Sequence, residues 1–169
     1  FFPEDKYIGL ENVESYTGRY LPTDTVYDEA VYDIYRQGDI LFGKLRPYLA
    51  KVFITEDNGF CTGEFAVIKD YKGYLRFLFY YLLSDGFLKI VNASTYGAKM
   101  PRANWDFIKN LPVPTIPSDE ERCIADYLDS KCSEIDSAIS LKKQQIETLN
   151  DYKKSLIYEY VTGKKEIPA

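Results

Sequence analysis

Leu111-Pro-Val-Pro-Thr-Ile-Pro-Ser-Asp-Glu-Glu121 is the stretch of sequence at which an extended chain gives way to one very long helix. Its three prolines exclude a helix before the serine, because proline lacks an amide hydrogen and disfavours helix in the residue before it. Ser118 is predicted as the N-cap, with Glu121 completing a capping box. Residues 119–161 contain no glycine and no proline, and Gly163 supplies a stop. The pattern predicts one helix of roughly 65 Å at 1.5 Å per residue.

Apolar residues recur along this helix at alternating spacings of three and four, the heptad pattern of a coiled coil. The seam comprises Ala125, Leu128, Cys132, Ile135, Ile139, Ile146, Leu149, Leu156 and Tyr160, with Lys142 and Lys153 as polar interruptions. A helix lying along its own domain is the alternative, but the preceding chain is too short to cover it. We therefore predict pairing with a second copy or a matching repeat, in either orientation. The predicted dimer contacts are Leu128, Ile135, Ile139, Ile146, Leu149 and Leu156.

Composition predicts a folded front domain before the helix. Hydrophobic residues make up 46% of the 169 positions, enough for one core. We place a domain at residues 1–117, the long helix at 118–163 and a tail at 164–169. No apolar run approaches membrane-spanning length and no signal-peptide pattern is present, so no membrane partner is expected. Because Met100 is the only methionine and the chain begins at Phe1, we expect a piece of a longer protein.

The front domain is predicted to be mixed α/β. Its pattern predicts strands at residues 39–42, 48–55 and 65–68, a hairpin turn at 56–59, helices at 74–82 and 87–92, a polar loop at 95–104, one amphipathic turn, and a strand at Leu111. With the long helix, this gives an α+β protein. Cys61, Cys123 and Cys132 form no C-x-x-C pair, and an odd count without metal spacing favours a reducing cytoplasm.

Charge is distributed unevenly in this chain of net charge -5. Residues 1–33 hold two cations against eight acids, whereas residues 36–51 and 86–110 each hold four cations against one acid. Two such basic islands indicate a localised phosphate-facing surface, although ordinary solvated faces would give the same count. We expect the cations Lys44, Arg46, Lys51, Lys99 and Arg102 to lie on one face, with Tyr48, Thr95 and Tyr96 among them.

Signatures of catalysis are missing from the sequence. It has no histidine, which excludes histidine-based acid–base chemistry, triads and metal sites. It also has no glycine-rich phosphate loop, no nuclease-type carboxylate centre and no methyltransferase motif. We therefore expect no enzyme activity, metal or cofactor in this chain. Glu64 is a candidate for accepting from a cytosine amino group, with a hydrogen-bonded structural role as the alternative.

Several motifs in order resemble one known family. The segments Gly38-Asp-Ile-Leu-Phe-Gly-Lys-Leu-Arg-Pro-Tyr-Leu-Ala-Lys51, Cys61-Thr-Gly-Glu-Phe65, Gly97-Ala-Lys-Met-Pro-Arg-Ala-Asn104, 111–117, 120–128 and 155–164 are similar to those of specificity subunits of Type I restriction–modification systems. The resemblance spans nearly the whole chain and identifies residues before the helix as a target recognition domain. It implies half of such a subunit, since full subunits carry two recognition domains and two antiparallel helices.

The resemblance also implies a division of labour. This chain would read one half of a split target in double-stranded DNA, through Lys44, Arg46, Tyr48, Lys51, Glu64, Thr95, Tyr96, Lys99 and Arg102. It would dock methyltransferase subunits that use S-adenosylmethionine and restriction subunits that use ATP and magnesium. A helix of about 65 Å is under two turns of B-DNA, each about 34–36 Å, so paired helices could space two half-sites. A coiled-coil adaptor without DNA binding is the alternative function, and an enzyme is a second.

Overall fold

The computed structural model describes residues 6–23 and 32–167, and it has the predicted α+β class. Short strands and three short helices come before one long helix. The strands are β1 Lys6–Ile8, β2 Tyr32–Tyr35, β3 Ile40–Gly43, β4 Val52–Ile54, β5 Gly59–Thr62 and β6 Phe65–Ile68. The helices are α1 Leu75–Leu83, α2 Asp85–Ala93, α3 Trp105–Ile108 and α4 Ser118–Val161, with 3₁₀ turns at Leu10–Asn12 and Pro47–Leu49.

The chain divides into two compact units, Phe1–Ala125 and Asp126–Ala169. The division lies within α4, whereas the sequence analysis placed a boundary at residue 117. The reason is burial at the beginning of α4, where Glu121 and Ala125 are both removed from solvent. The first turns of the long helix therefore belong to the front unit.

Two three-stranded sheets form the framework of the front unit. In the first sheet, β5 lies between a parallel β1 and an antiparallel β2. In the second sheet, β3 lies between β4 and β6, both antiparallel to it. The sequence pattern predicted strands at the positions of β3, β4 and β6, but none at those of β1, β2 and β5.

The predicted hairpin at residues 56–59 is wrong. Strand β4 pairs with β3, whereas β5 has β1 and β2 on its two sides, so this turn carries the chain from one sheet to the other. A two-residue hairpin of type I′ needs a positive φ at both central residues, and neither Asn58 nor Gly59 has one. Asn58 instead accepts a hydrogen bond from the backbone N–H of Gln37, at 3.0 Å.

Strand β3 is buried on both faces and separates two apolar clusters. Ile40 and Phe42 pack with residues of α1 and α2, on one side of the second sheet. Leu41 points the other way, into a cluster that includes Ile8 and Cys61 of the first sheet. This alternation follows from the two-residue period of a strand. The second sheet therefore lies between the first sheet and the helices.

Two further strand predictions are corrected. The predicted strand at 48–55 is reduced to β4, because residues 47–49 form a 3₁₀ turn. The segment before α4 is extended, but no strand is assigned at Leu111 in the described part of the chain. Prolines at 112, 114 and 117 remove the backbone donors that a sheet ladder needs.

The long helix begins one residue earlier than predicted and its capping box is absent. Ser118 is the first helical residue, and the carbonyl oxygen of Pro117 accepts from the N–H of Glu121, at 3.0 Å. The Glu121 carboxylate bonds to Tyr74 instead, at 2.6 Å. Ala125 is fully buried in the front unit, so it is not available to the predicted seam. No helix in residues 6–23 and 32–167 has the length and apolar character of a membrane span.

Candidate nucleic-acid interface

Backbone hydrogen bonds join the two basic islands. The N–H of Ala103 donates to the carbonyl oxygen of Lys44 at 2.8 Å, and the N–H of Arg46 donates to that of Pro101 at 2.7 Å. An antiparallel bridge also pairs Leu45 with Arg102. Residues more than fifty positions apart in the chain thus lie side by side, so their cations share one region of the front unit.

A tight turn directly after Arg46 exposes the Tyr48 side chain. Pro47–Leu49 form a 3₁₀ turn flanked by Arg46 and Ala50, which have φ values of 50° and 48°. Both are in the left-handed region, which costs a non-glycine residue about 1–3 kcal/mol. The Tyr48 side chain is 46% exposed, so its ring is presented to solvent.

A third loop, at residues 14–19, completes the surface. Tyr16 also has a left-handed φ, of 66°, and its N–H donates to the carbonyl oxygen of Ala50 at 3.0 Å. Its hydroxyl donates to the carbonyl oxygen of Tyr48 at 2.7 Å. The sequence did not predict Tyr16 as a site residue, because nothing in the polar turn around it indicates a contact with Tyr48, 32 residues further along the chain. We call residues 14–19, 44–50 and 96–103 the three-loop surface.

Tyr96 and Arg102 form the base of a short hairpin in this surface. Tyr96 and Arg102 exchange backbone hydrogen bonds of 3.1 and 2.9 Å. Gly97, with a φ of 88°, makes the turn that a side chain would strain. Lys99 lies at the exposed tip, and Tyr96 is 61% exposed. An ammonium group and an aromatic ring are therefore both presented to solvent.

Glu64 and Arg102 form an ion pair beside the hairpin. Both line an open cleft of ≈ 510 Å³, together with Lys44, Gly63, Tyr96, Ala103, Asn104, Trp105 and Asp106. The Glu64 side chain is only partly exposed. The carboxylate that the sequence analysis offered as a cytosine acceptor is thus engaged by a guanidinium.

Two predicted DNA-facing residues are used within the fold. The Lys51 ammonium donates to the carbonyl oxygens of Leu10 and Val13, at 2.8 and 2.7 Å. Burial lowers the pKa of Lys51, and the nearby Glu11 partly opposes this. The Thr95 hydroxyl donates to the carbonyl oxygen of Asn92 at 2.8 Å, at the end of α2. The expectation that Lys51 joins the other four cations is therefore corrected, because the first loops hold its side chain.

The predicted dimer residues lie along α4 with their side chains largely in solvent. Ile135, Ile139, Ile146 and Leu149 are exposed, the last of them at 65%, and Leu128 and Leu156 are half-buried. Isolated apolar side chains are common on protein surfaces, but a contiguous stripe of them indicates an interaction site. Among the described residues, no group of three potential metal ligands comes together.

Comparison with known proteins finds one family. A family model described as the Type I restriction modification DNA specificity domain matches residues 13–151. The chain is 24% identical to the Type I restriction enzyme EcoDI specificity subunit of Escherichia coli, covering 96% of this chain and 37% of that protein. It is 27% identical to the Type I restriction enzyme MjaVIII specificity subunit of Methanocaldococcus jannaschii, covering 93% of this chain and 38% of that protein.

A solved structure shares the fold. The crystal structure of the HsdS subunit from Thermoanaerobacter tengcongensis superposes with a TM-score of 0.69 at 17% identity. The superposition covers 96% of this chain and 44% of the other. This chain therefore spans less than half the length of the proteins that it matches.

Proposed function

Since this chain belongs to the family of Type I restriction modification DNA specificity domains, we propose that it reads one half of a split target in double-stranded DNA. The observation that carries the proposal is the joining of two basic islands and an aromatic loop into the three-loop surface. An acidic protein approaches DNA only where its cations are concentrated. The surface provides such a place, because Lys44, Arg46, Lys99 and Arg102 belong to neighbouring loops.

Residues of the three-loop surface have different proposed roles. Lys99, exposed at the hairpin tip, contacts a phosphate and adds affinity without sequence preference. Arginine and tyrosine side chains near the cleft contact base edges or sugars. The left-handed turns hold Tyr16 and Tyr48 in fixed positions, which lowers the entropy lost when they meet DNA. Backbone strain of this kind tends to cluster at functional sites.

The long helix has a proposed partner, which is a second copy of this chain or a matching repeat. The apolar seam from Leu128 to Leu156 would then be covered by an equivalent seam. In a parallel, in-register pair, Lys142 would lie beside Lys142 of the second copy, and Lys153 beside Lys153. Repulsion between these like charges disfavours the parallel arrangement. In an antiparallel pair with Lys142 facing Ile139, each lysine lies against an apolar residue. We therefore propose the antiparallel arrangement, which spaces two recognition units on DNA.

We propose that catalysis belongs to partner subunits. Methyltransferase subunits would bring S-adenosylmethionine, and restriction subunits would bring ATP and magnesium, whereas this chain would hold neither cofactor nor metal. Such an assembly works on chromosomal DNA, in agreement with the cytoplasmic location expected from the cysteines. The absence of histidine supports this assignment, because most general acid–base and hydrolytic metal centres use that residue.

DNA binding by the assembled methyltransferase complex tests the proposal. The target sequence comes from the methylome of the source strain, measured with and without this gene. Affinity is then measured for a duplex that carries the target and for a scrambled duplex, at several salt concentrations. We expect tighter binding to the target and a linear fall in log affinity with log salt. Equal, salt-independent affinities would favour the coiled-coil adaptor instead.

A further inference from the structure

We infer that Glu64 is a positioning residue that holds Arg102 for reading a guanine, and that Glu64 itself contacts no base. The inference rests on the proposed function and names a base class for the cleft. The starting observation is the ion pair between the Glu64 carboxylate and Nη2 of Arg102. Both residues line the same open cleft of the three-loop surface.

The framework fixes the backbone of each partner. Glu64 lies in the turn between β5 and β6, where its carbonyl oxygen accepts from the N–H of Lys44 at 2.8 Å. Arg102 is bridged on one side to Tyr96 and on the other to Leu45. The ion pair therefore joins two anchored backbones, so it restrains the direction of the guanidinium before any ligand arrives.

The chemistry of the guanidinium then favours guanine. Arginine has five N–H donors in a planar fork, and the pair with Glu64 engages Nη2. The commonest specific arginine contact with DNA is a bidentate one, to O6 and N7 of guanine. A carboxylate on one side of the fork restricts its rotation and leaves other donors for the base. Its negative charge also cancels part of the arginine charge, which reduces the pull of nearby phosphates.

Glu64 is a poor base reader in the same geometry. A carboxylate that accepts from arginine is less available to the amino group of cytosine. Without the arginine, its charge would be repelled by the phosphates on either side of the groove. Arg102 is held by the Glu64 carboxylate, whereas no carboxylate pairs with Arg46 within residues 6–23 and 32–167. Of the three arginines of the surface, Arg19, Arg46 and Arg102, only Arg102 lines the cleft.

The test measures base preference in the assembled complex. Duplexes carry the methylome-determined target with each base pair of the half-site replaced in turn. We expect Arg102→Ala to lose preference for one guanine by about ten-fold or more, since bidentate contacts discriminate at this level. Glu64→Gln should weaken the preference for the same guanine by a smaller factor than Arg102→Ala does. The affinity of the Glu64→Gln complex for scrambled DNA should stay equal or rise.

Substitution of that guanine by 7-deazaguanine isolates the contact, because it removes N7 without changing base pairing. The modified duplex should bind the wild-type complex more weakly and leave binding by the Arg102→Ala complex unchanged. The matched control is Asp85→Asn, which removes a carboxylate paired with Lys89 on α2 at 2.6 Å. This control should leave every base preference intact.

Each other outcome has a definite meaning. If Glu64→Gln altered preference at a different base pair, Glu64 would itself read that base and the inference would be wrong. If Arg102→Ala lowered affinity equally for all duplexes, the guanidinium would be a phosphate ligand. A wild-type complex without any sequence preference would overturn the proposed function as well. Normal preference in all variants would overturn this inference alone.

Discussion

The side-chain carboxylate of Glu121 accepts a hydrogen bond from the backbone N–H of Tyr74, at 2.6 Å. Tyr74 is the N-cap residue of α1, and Glu121 lies in the first turn of α4. The hydroxyl of Tyr71 reaches the same carboxylate at 3.5 Å, and burial followed by the Glu121 charge raises the pKa of that hydroxyl. A buried glutamate thus fixes the beginning of the long helix to the beginning of α1.

Glu121→Ala should destabilise the front unit by about 1–3 kcal/mol, because the part-buried N–H of Tyr74 loses its charged acceptor. The measurement is denaturant-induced unfolding followed by circular dichroism. Glu120→Ala is the matched control, because Glu120 is exposed in the same turn. The control should change the free energy of unfolding by less than about 0.5 kcal/mol. Equal stabilities of the two variants would contradict the role of Glu121.

Lys51→Ala should lower stability and leave DNA affinity nearly unchanged. Its ammonium satisfies the carbonyl oxygens of Leu10 and Val13, and losing a charged donor there should cost about 1–3 kcal/mol. Unfolding and binding of the same variant are measured side by side. Lys72→Ala, at an exposed position, is the control with an equal loss of charge. A shallower salt slope for Lys51→Ala than for the control would restore it to the DNA-facing set.

Lys99→Ala should weaken binding to target and scrambled duplexes by a similar factor. A lysine that neutralises one phosphate contributes about one unit to the slope of log affinity against log salt, so the slope should become shallower by that amount. The comparison is again Lys72→Ala, which should keep the wild-type slope. An unchanged slope for Lys99→Ala would place the phosphate contacts elsewhere on the molecule.

Ile139→Asp combined with Ile146→Asp should dissociate the helix pair without unfolding residues 7–115. Both side chains are exposed along α4, and each apolar side chain covered by a partner helix contributes about 1.5–3 kcal/mol. Sedimentation velocity at micromolar concentration gives the oligomeric state, and circular dichroism reports folding. Ser137→Asp with Gln144→Asp is the control on the opposite face of the heptad. A wild-type chain that stays monomeric at rising concentration would leave only pairing with a covalent repeat.

Cys61 should resist thiol reagents at pH 8 while Cys123, which lies outside the proposed helix seam, reacts. Burial raises the pKa of the Cys61 thiol from its ordinary value of 9.0 to about 12, so its reactive thiolate is scarce. The other two cysteines are exposed on α4. In the unfolded chain the Cys61 thiol ionises near its ordinary pKa of 9.0, below its pKa in the folded chain. Ionisation of this thiol should therefore lower the free energy of unfolding only above about pH 9. Mass spectrometry after iodoacetamide, with and without denaturant, gives the labelling pattern; rapid native labelling of Cys61 would contradict it.

The sequence by itself determined the elements whose signals are local. A proline-rich entry, the absence of glycine and proline through residues 119–161, and Gly163 after the end predicted α4 to within one residue at its start. Helical spacing likewise located α1 and α2, and apolar runs located β3 and β6. Each of these signals lies inside the element that it specifies, so no distant residue is needed to interpret it.

Only the tertiary structure decided the pairing of distant segments and the use of individual side chains. Strand β1 has three residues and exists because it pairs with β5, with Lys6 opposite Gly59. The same folding places the Lys51 ammonium on two carbonyl oxygens and Tyr16 beside Tyr48. Such contacts join segments separated by thirty or more residues, and their hydrogen bonds form only when the chain has closed those loops. A cation's charge can be read from a sequence, but its partner is set by the fold.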